Sequence, residues 1–372
     1  MWRFGRRNNF LIWHYLEALR DEEEAGIHQK IIRRNILRKN FNPAAVSEGL
    51  FQQQYRLNKP AFRYLCDKLR ERTSLKATKR VPLEHKVLCA LHFYASGSYQ
   101  CAVGMMKHLG QTTVSKYINE VTNALNDPNI LNELIKFPQI RTERNQIRQK
   151  FYTEYGVPGV IGCIDASHFH IRTPKKEIEN LFFCRKQYCS LNVQMICDSD
   201  GRILNVNPKY GGATHDAFIW QNSSVNEFMQ RLHRENEITW LLGDSGYPQQ
   251  PWMMTPIPDA VVGSPEAKYS SMHGRAWVII ENTFGRLRNQ WCCLGKDRSL
   301  HYKPEKCAKI ILACCALHNL ALDYGISDPD DTIIEEVDDF SQPEVATMSD
   351  GRDDLIRGRA LRSQLVDLLN RS

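Results

Sequence analysis

Long apolar runs are missing from this 372-residue sequence, and their absence excludes several classes of protein. No window approaches the ~18 consecutive apolar residues of a transmembrane helix, so we expect no membrane span. The basic start at residues 1–7 is not followed by an uninterrupted apolar stretch with a small-residue cleavage site, so we expect no secretory signal. Hydrophobic residues make up 42% and charged residues 24%, which excludes wholesale disorder.

The twelve cysteines lack the spacing of a metal-binding or disulfide-rich domain. No Cys-x-x-Cys pair occurs, so we do not expect a zinc ribbon or a zinc finger. Two pairs are adjacent, at 292–293 and 314–315, and several other cysteines lie in apolar runs. We therefore expect reduced, buried thiols in a nuclear or cytoplasmic protein.

Charge is distributed unevenly along the chain. Residues 1–80 contain 18 Lys and Arg against 8 Asp and Glu, whereas residues 328–372 contain 5 against 12. The basic start is typical of an arm that binds a polyanion, and a solvated surface explains it equally well. Residues 328–354 hold eleven acids and one Arg, which predicts a flexible acidic tail. We hypothesise that the tail competes with DNA for the basic residues; a solvated tail without contacts is the simpler alternative.

Helical periodicity dominates the first third of the chain. The spacing of apolar residues predicts an amphipathic helix over 27–37, a helix over 50–72 interrupted by Pro60, and three helices between residues 82 and 126. Two helices joined by a tight Gly-containing turn, after a third helix, match a helix-turn-helix. The outward face of the last helix would present small or basic side chains suited to phosphates and base edges, namely Thr113, Ser115, Lys116, Asn119 and Asn123. Three-helix packing with a polar outer face is also common, so DNA contact stays open on this evidence.

Strands begin after a polar helix over 141–155. Short apolar runs predict strands over 160–164, 191–197, 203–206 and 238–242, and a turn at 198–201 joins the second and third strands. Helices near 272–290 and 304–324 follow, and a last amphipathic helix is predicted over 355–369. This order predicts a mixed α/β sheet with helices on both faces.

Four acids lie beside apolar runs in this second region. Asp165 immediately follows the first predicted strand, Asp244 follows the strand that ends at Leu242, and Glu281 lies inside a predicted helix. Carboxylates in such places are costly to bury unless they are paired, hydrogen-bonded or bound to a cation, and Mg²⁺ or Mn²⁺ prefers oxygen ligands. Two such ions ~3.5–4 Å apart can activate water and stabilise the leaving oxygen of a phosphodiester. Asp216, after a Gly-rich turn, is a fourth candidate, although a helix N-cap is its simpler role.

Five sequence strings resemble those of PIF/Harbinger transposases and of the nucleases derived from them. In chain order they occupy residues 162–168, 211–216, 242–248, 280–287 and 310–319, and the resemblance covers roughly residues 80–325. It implies an RNase H-like fold with a DDE triad, in which Asp165 is the first Asp, Asp244 the second and Glu281 the Glu. It also implies that Asp216 is a further metal ligand. The family commonly has Asp-Gly-Thr-His at the first motif, where this chain has Asp-Ala-Ser-His; both replacements are small, and the acid and His remain.

Together these features predict four segments: a basic N-terminal arm over 1–50, a helix-turn-helix DNA-binding domain over 51–135, an RNase H-like catalytic domain over 136–325, and an acidic tail with a C-terminal helix over 326–372. The resemblance implies a DNA transposase or endonuclease that uses Mg²⁺ or Mn²⁺, cleaves DNA at element ends and transfers the freed 3′-hydroxyl to target DNA. It also implies a nucleus-located homo-oligomer, with the cytoplasm as a second location, that is assisted by a separate Myb-like DNA-binding protein.

Two other functions remain open from the sequence. The chain could be a host-retained nuclease that cleaves without integrating, or an adaptor that binds DNA or chromatin without turnover. All four acids are present, which favours a working site over an adaptor. The sequence cannot separate a nuclease from a transposase, because both need the same site.

Overall fold

The computed structural model of the protein describes residue 29 and residues 32–36, 42–326 and 352–371. Two compact units make up the chain, Met1–Ala124 and Leu125–Ser372. Most of the predicted basic arm and residues 328–351 of the predicted acidic tail lie outside the described residues. None of the helices in the described ranges combines the length with the apolar character that a membrane crossing demands.

The described part of the first unit is helical. After a 3₁₀ turn at Pro43–Ala45 come α1 (Glu48–Tyr55), α2 (Lys59–Arg72), α3 (Leu83–Ser96), α4 (Gln100–Met106) and α5 (Gln111–Leu125). The interruption predicted at Pro60 within a helix over 50–72 falls earlier, because the chain leaves the first helix after Tyr55 and starts a new one at Lys59. Asn58 caps that new helix by accepting a hydrogen bond from the Ala61 N–H at 2.9 Å, and Pro60 occupies its first turn.

The three helices α3, α4 and α5 lie where the sequence predicted them. Their packing includes polar links between α3 and α5: Lys86, which is almost fully buried, places Nζ 2.7 Å from Glu120 Oε2, and the Tyr94 hydroxyl lies 2.7 Å from Thr122 Oγ1. A buried charge is tolerated when it is paired in this way. Whether these helices form a DNA-binding helix-turn-helix stays a prediction.

The second unit combines helices with a sheet. Two helices come first, α6 (Pro128–Leu134) and α7 (Arg141–Tyr155), and the helix predicted over 141–155 is confirmed. The remaining elements, in chain order, are β1 (Val160–His170), β2 (Ser190–Cys197), β3 (Ile203–Gly211), α8 (Asp216–Gln221), α9 (Ser224–Arg234), β4 (Trp240–Leu242), β5 (Met253–Met254), α10 (Pro265–Gln290), α11 (Pro304–Asp323) and α12 (Arg352–Arg371).

The five strands form one mixed sheet in the order β3-β2-β1-β4-β5. The pairs β1–β2 and β2–β3 are antiparallel, whereas β1–β4 and β4–β5 are parallel. The mixed α/β prediction is confirmed, but two strands are longer than predicted: β1 continues to His170 and β3 continues to Gly211. Because β3 is an edge strand, it tolerates Pro208, which cannot donate a hydrogen bond to a neighbouring strand.

Helices cover both faces of the sheet. Successive residues of a strand point to opposite faces of the sheet, so the contacts of Cys163 and Ile164 show which helices cover each face. The Cys163 thiol donates to the Ala276 carbonyl of α10 at 3.3 Å, whereas Ile164 joins a core cluster with Trp220 of α8 and Met229 of α9. The prediction of helices on both faces is therefore confirmed.

The C-terminal helix α12 packs against β5, the strand at the other edge of the sheet, and against α10. Gln249 donates to the Gly358 carbonyl at 3.0 Å, Lys268 donates to the Leu369 carbonyl at 2.7 Å, and Arg362 donates to the Thr255 carbonyl at 3.1 Å. Residues 352–354, predicted to belong to the tail, form the first turn of this helix. The helix thereby protects an edge that would otherwise offer unpaired backbone groups.

The cysteines are free, as the sequence predicted. All twelve lie in the described ranges, and ten of them are buried. Burial raises the pKa of the Cys163 thiol well above its ordinary value, which keeps that thiol protonated and unreactive.

Candidate functional site

Two of the predicted acids come together because β1 and β4 run parallel. Cys163 of β1 lies opposite Leu242 of β4, and Asp165 and Asp244 each follow that pair by two residues. The prediction that Asp165 follows the end of its strand was wrong, since β1 continues past it and Asp165 pairs with Met195 of β2. Asp165 therefore projects from the middle of β1, at a position that β2 pairs, which fixes it more tightly than a loop would.

The charges of the other three predicted acids all act on the Asp165 carboxyl. Burial is the main cause that raises its pKa well above the ordinary value of an aspartate, and the charges of Asp244, Asp216 and Glu281 add to the increase. A hydrogen bond from the backbone N–H of Ala166 opposes it. Neighbouring carboxylates disfavour one another's ionised form, so these four acids share one electrostatic environment.

Asp244 forms part of a turn and also belongs to this acidic cluster. Its Oδ1 accepts a hydrogen bond from the Gly246 N–H at 3.1 Å, as expected of an Asp-Ser-Gly turn after a strand. Burial and then the charge of Asp216 raise the pKa of Asp244 to about 6, although the Gly246 N–H lowers it. The turn therefore holds the carboxyl in place without neutralising it.

Asp216 is not the N-cap of its helix. His215 occupies the N-cap position, and Asp216 is the first residue of α8. The Asp216 carboxyl instead accepts a hydrogen bond at 2.7 Å from the amide of Asn192, which also donates to the Thr214 carbonyl at 2.8 Å. Burial raises the pKa of Asp216, whereas the Asn192 hydrogen bond and the nearby charges of His215 and Arg185 lower it.

Glu281 faces β1 from the long helix α10. Four residues earlier, Trp277 donates its indole N–H to the Ile164 carbonyl at 3.1 Å, and seven residues later Arg288 donates to Ser167 Oγ at 2.7 Å. Residues spaced by four and seven share one side of a helix, so Glu281 lies on the side of α10 that follows β1 past Asp165. Its negative charge accordingly raises the pKa of Asp165.

Arg288 is a residue that sequence reasoning missed. It is buried and holds its guanidinium over the rings of Phe169 and Phe284, at 5.1 and 6.0 Å from their centres. Its bond to Ser167 gives a physical reason for a hydroxyl at this position of the first motif, two residues after Asp165. An arginine inside a helix that otherwise buries apolar residues was the available signal.

Two buried amides and a tyrosine under the acids were also missed. Asn192 and Gln194 interrupt the apolar strand β2, and Gln194 donates to the Tyr247 hydroxyl at 3.3 Å. The pKa of Tyr247 is raised well above its ordinary value by burial and then by the charges of Asp216, Asp165 and Asp244. Polar residues alternating within an apolar strand were the signal, because buried amides need partners.

The donor chemistry of the cluster fits a hard divalent cation. Carboxylate and amide oxygens are the ligands that Mg²⁺ and Mn²⁺ prefer, and the Asn192 side-chain oxygen is buried without a hydrogen-bond partner. Within the residues that the structure describes, however, no group of three or more His, Cys, Asp or Glu side chains is arranged so that it could hold a metal ion. Binding would thus require the carboxylates to draw closer together.

The side chains predicted to contact DNA lie on α5 in the first unit. Lys116, Asn119 and Asn123 are exposed, and Thr113 and Ser115 are partly exposed. Lys116 lies 3.8 Å from Glu120, one helical turn away. The five residues therefore form the accessible side of α5, with one acid among them.

Comparison with known proteins places this arrangement in a family. A model described as the DDE superfamily endonuclease matches residues 164–319, and a model described as a domain of unknown function matches residues 46–127. "Putative nuclease HARBI1" of Bos taurus is 36% identical over 253 residues, which cover 67% of this chain and 70% of that protein. The protein of the same name from Homo sapiens is 35% identical over the same coverage.

A more distant relative has a different name. "Protein ALP1-like" of Arabidopsis thaliana is 23% identical over 312 residues, 78% of this chain and 75% of that protein. No solved structure matches the chain. The resemblance drawn from the five strings is confirmed, and the chain belongs to the Harbinger-type family of DDE transposase-derived proteins, with a DDE nuclease domain in its second unit.

Proposed function

We propose that this protein is a host-retained DNA endonuclease that depends on a divalent metal ion and uses Asp165, Asp244 and Glu281 as its catalytic acids. The observation that carries the proposal is that the parallel pairing of β1 and β4 brings Asp165 and Asp244 to neighbouring strands, where the charges of Asp216 and Glu281 also act on Asp165. Acids whose pKa values are raised by burial and by one another are a common sign of a functional site.

Mg²⁺ or Mn²⁺ is the proposed cofactor, held by Asp165, Asp244 and Glu281, with Asp216 as a further ligand. When bound, such an ion supplies Lewis acidity and an activated water for attack on a phosphodiester. The chain's own residues orient the ligands: the Gly246 N–H holds Asp244, the Asn192 amide holds Asp216, and the contacts of Trp277 and Arg288 fix the side of α10 that bears Glu281.

The DNA substrate would be bound partly by the first unit. We propose that Thr113, Ser115, Lys116, Asn119 and Asn123 contact the duplex as a helix-turn-helix does, with phosphate contacts fixing position and small polar side chains reaching base edges. The exposed positions of these residues on α5 support the proposal. Reversing the charge of Lys116 should then weaken DNA binding and leave metal binding at the acids unchanged.

Further properties implied by the family remain proposals. Strand transfer by the freed 3′-hydroxyl would use the same acids as cleavage, and a Myb-like partner, a homo-oligomeric state and a nuclear location would suit a protein that acts on element ends. A strand-transfer assay with candidate terminal repeats, with and without a Myb-like protein, separates a transposase from a nuclease. Cleavage without joined products would identify a nuclease alone.

The test of the central proposal is the nicking of supercoiled plasmid in Mg²⁺, in Mn²⁺ and in a chelator. Wild-type protein should nick the plasmid in either metal and not in the chelator, and Asp165→Asn should abolish nicking while it retains DNA binding. Asp198→Asn is the matched control, since Asp198 is also buried but makes a turn, accepting from the N–H groups of Asp200 and Arg202. DNA binding without nicking in any metal would instead identify an adaptor.

A further inference from the structure

A cluster of exposed apolar side chains lies beside Asp216 and has no part in holding the acids. Leu181 is 61% exposed, Phe183 is 47% exposed and Phe218 is 51% exposed. The ring of Phe218 meets that of Tyr210 edge to face, with the centres 6.0 Å apart. We call Leu181, Phe183, Tyr210 and Phe218 the ring surface. Large apolar side chains left in water at one place are typical of a binding surface.

The ring surface is held rigidly by the loop that carries Leu181 and Phe183. The Ser190 N–H donates to the Phe182 carbonyl at 2.8 Å, and the Ala213 N–H donates to the Leu181 carbonyl at 3.3 Å. A Cβ on Gly211 would lie 2.0 Å from the Leu181 carbonyl oxygen, so only glycine allows this approach. The loop between β1 and β2 is therefore tied to the Gly-rich turn that leads into Asp216.

The ring surface adjoins the acidic cluster. The turn that packs on Leu181 ends at Asp216, and Phe218 belongs to the same first turns of α8, although its side chain leaves the helix on a different side from that of Asp216. Arg185, on the same loop as Phe183, is close enough for its charge to lower the pKa of Asp216. A ligand that touches the rings would accordingly lie next to the proposed cleavage site.

The charge around the rings is positive. Residues 172–189 contain five Lys and Arg against two Glu, and Lys209 precedes Tyr210. Arg185, Lys186 and Lys209 are exposed. Exposed rings interleaved with cations match a nucleic-acid strand, whose bases stack on rings while its phosphates meet the cations. Binding of an apolar protein surface would not explain why lysines and arginines surround the rings.

We propose that the ring surface binds unpaired nucleotides of the DNA strand next to the cleaved phosphate, with bases stacked on Phe183 and Phe218 and phosphates bound by Arg185 and Lys186. The inference rests on the proposed nuclease function and adds that the DNA substrate has unpaired bases beside the cleaved phosphate. Paired bases keep their faces inside the duplex, so only an opened or frayed segment can offer them to the rings. The protein would then prefer DNA with unpaired bases over a full duplex of the same sequence.

The experiment measures binding of two DNA molecules by fluorescence anisotropy without divalent metal, so that no cleavage occurs. One is a fully paired duplex, and the other has the same sequence with a short unpaired stretch carrying 2-aminopurine, whose emission reports stacking. Wild-type protein should bind the unpaired DNA more tightly and change the 2-aminopurine emission. Phe218→Ala and Phe183→Ala should each reduce that preference roughly fivefold or more.

Two further variants sharpen the result. Phe218→Leu keeps an apolar side chain but removes the ring, so it should also lose the preference if stacking is the cause. Ile238→Ala is the matched control, because Ile238 is 71% exposed and precedes β4, at the opposite end of that strand from Asp244. It should bind both DNA molecules as the wild type does.

Plasmid nicking in Mn²⁺ separates the two proposals. If the wild-type protein does not nick the plasmid, the proposed nuclease function is refuted. If it nicks the plasmid but shows no preference for unpaired DNA, only the proposed role of the ring surface is refuted. An unchanged preference for unpaired DNA in both Phe→Ala variants would also overturn the inference, as would an unchanged preference in Phe218→Leu. A protein partner would then be the better occupant of this surface.

Discussion

The two ends of strand β4 are followed or preceded by partly buried acids whose charged surroundings differ. Just before the strand, Glu237 accepts two hydrogen bonds from the Arg144 guanidinium, at 2.8 and 2.6 Å, with both side chains less than a tenth exposed. Arg148 lies 3.6 Å from the same carboxylate. Just after the strand, the neighbouring charges of Asp244 are those of Asp216 and Asp165, and within the part of the chain that the structure describes no arginine forms an ion pair with Asp244.

The pKa values show the result of this difference. The hydrogen bond from Arg144 is the main cause that lowers the pKa of Glu237, so Glu237 is ionised and neutralised inside the fold. Burial and the charge of Asp216 raise the pKa of Asp244 to about 6. Glu237 therefore receives a positive charge from Arg144, whereas Asp165 and Asp244 lie close to other carboxylates. A divalent cation would supply positive charge at that cluster.

The largest expected effect of a mutation is on cleavage. Glu281→Gln removes one charged ligand while it keeps the size of the side chain, so it should lower the rate of plasmid nicking at least about a thousandfold, since several kcal/mol of transition-state stabilisation depend on the cation. DNA affinity measured by anisotropy should change little. Nicking at more than a tenth of the wild-type rate would remove Glu281 from the triad.

Breaking the pair at the other end of β4 should affect stability instead. Arg144→Ala leaves the Glu237 carboxylate buried without its bidentate partner, and should lower the free energy of unfolding by about 3–5 kcal/mol. Urea unfolding measures this loss. The double variant Arg144→Met/Glu237→Leu removes both charges and should cost less than the single one. A double variant that is as unstable as Arg144→Ala would show that packing, not the unpaired charge, dominates.

Removing a charge from the acidic cluster should stabilise the metal-free protein. The pKa of Asp244 is about 6 in the fold against an ordinary 3.8, so the folded state binds more protons than the unfolded state between these values, and this group's contribution to stability falls as pH rises through that window. Asp244→Asn should therefore raise the free energy of unfolding at pH 7.5 by roughly 1–3 kcal/mol. The gain should shrink toward pH 4; a gain independent of pH would contradict the electrostatic cause.

The smallest effect is expected at a buried acid outside the cluster. Burial raises the pKa of Asp198 to about 6, while the N–H groups of Arg202 and Asp200 hold its carboxyl in a turn. Asn at this position keeps an oxygen that can accept both hydrogen bonds, so at pH 4, where the folded Asp198 carboxyl is protonated, Asp198→Asn should change the free energy of unfolding by less than about 1 kcal/mol. Manganese affinity should be unchanged. A loss of that affinity would extend the metal site beyond the four motif acids.

The sequence predicted the strands and helices where apolar periodicity was strong. It failed at β1 beyond Asp165 and at the second half of β3, where polar residues occupy the strands. Those residues are strand because they pair with β2, and such pairing depends on distant parts of the chain rather than on local preference. The break after Tyr55 has a local cause instead: Asn58 caps a new helix there, a few residues before the interruption predicted at Pro60.

The acids of the candidate site could be predicted from the sequence, but the residues that hydrogen-bond to them and hold them in place could not. The motif strings named Asp165, Asp216, Asp244 and Glu281 because carboxylates beside apolar runs are costly and therefore informative. The Asn192 bond to Asp216 and the Arg288 bond to Ser167 join residues 24 and 121 positions apart, and no local pattern encodes such partners. Buried amides in β2 pointed to a polar site beneath the strand without showing which groups they would meet.

Calorimetric titration with Mn²⁺ tests the central claim most directly, namely that a divalent cation binds to the motif acids and offsets their mutual repulsion. Wild-type protein at pH 7.5 should bind Mn²⁺, and the double variant Asp165→Asn/Asp244→Asn should show no binding at the same concentrations, while Asp198→Asn binds as the wild type does. Equal Mn²⁺ binding by the double variant and the wild type, or no binding by the wild type, would contradict the account.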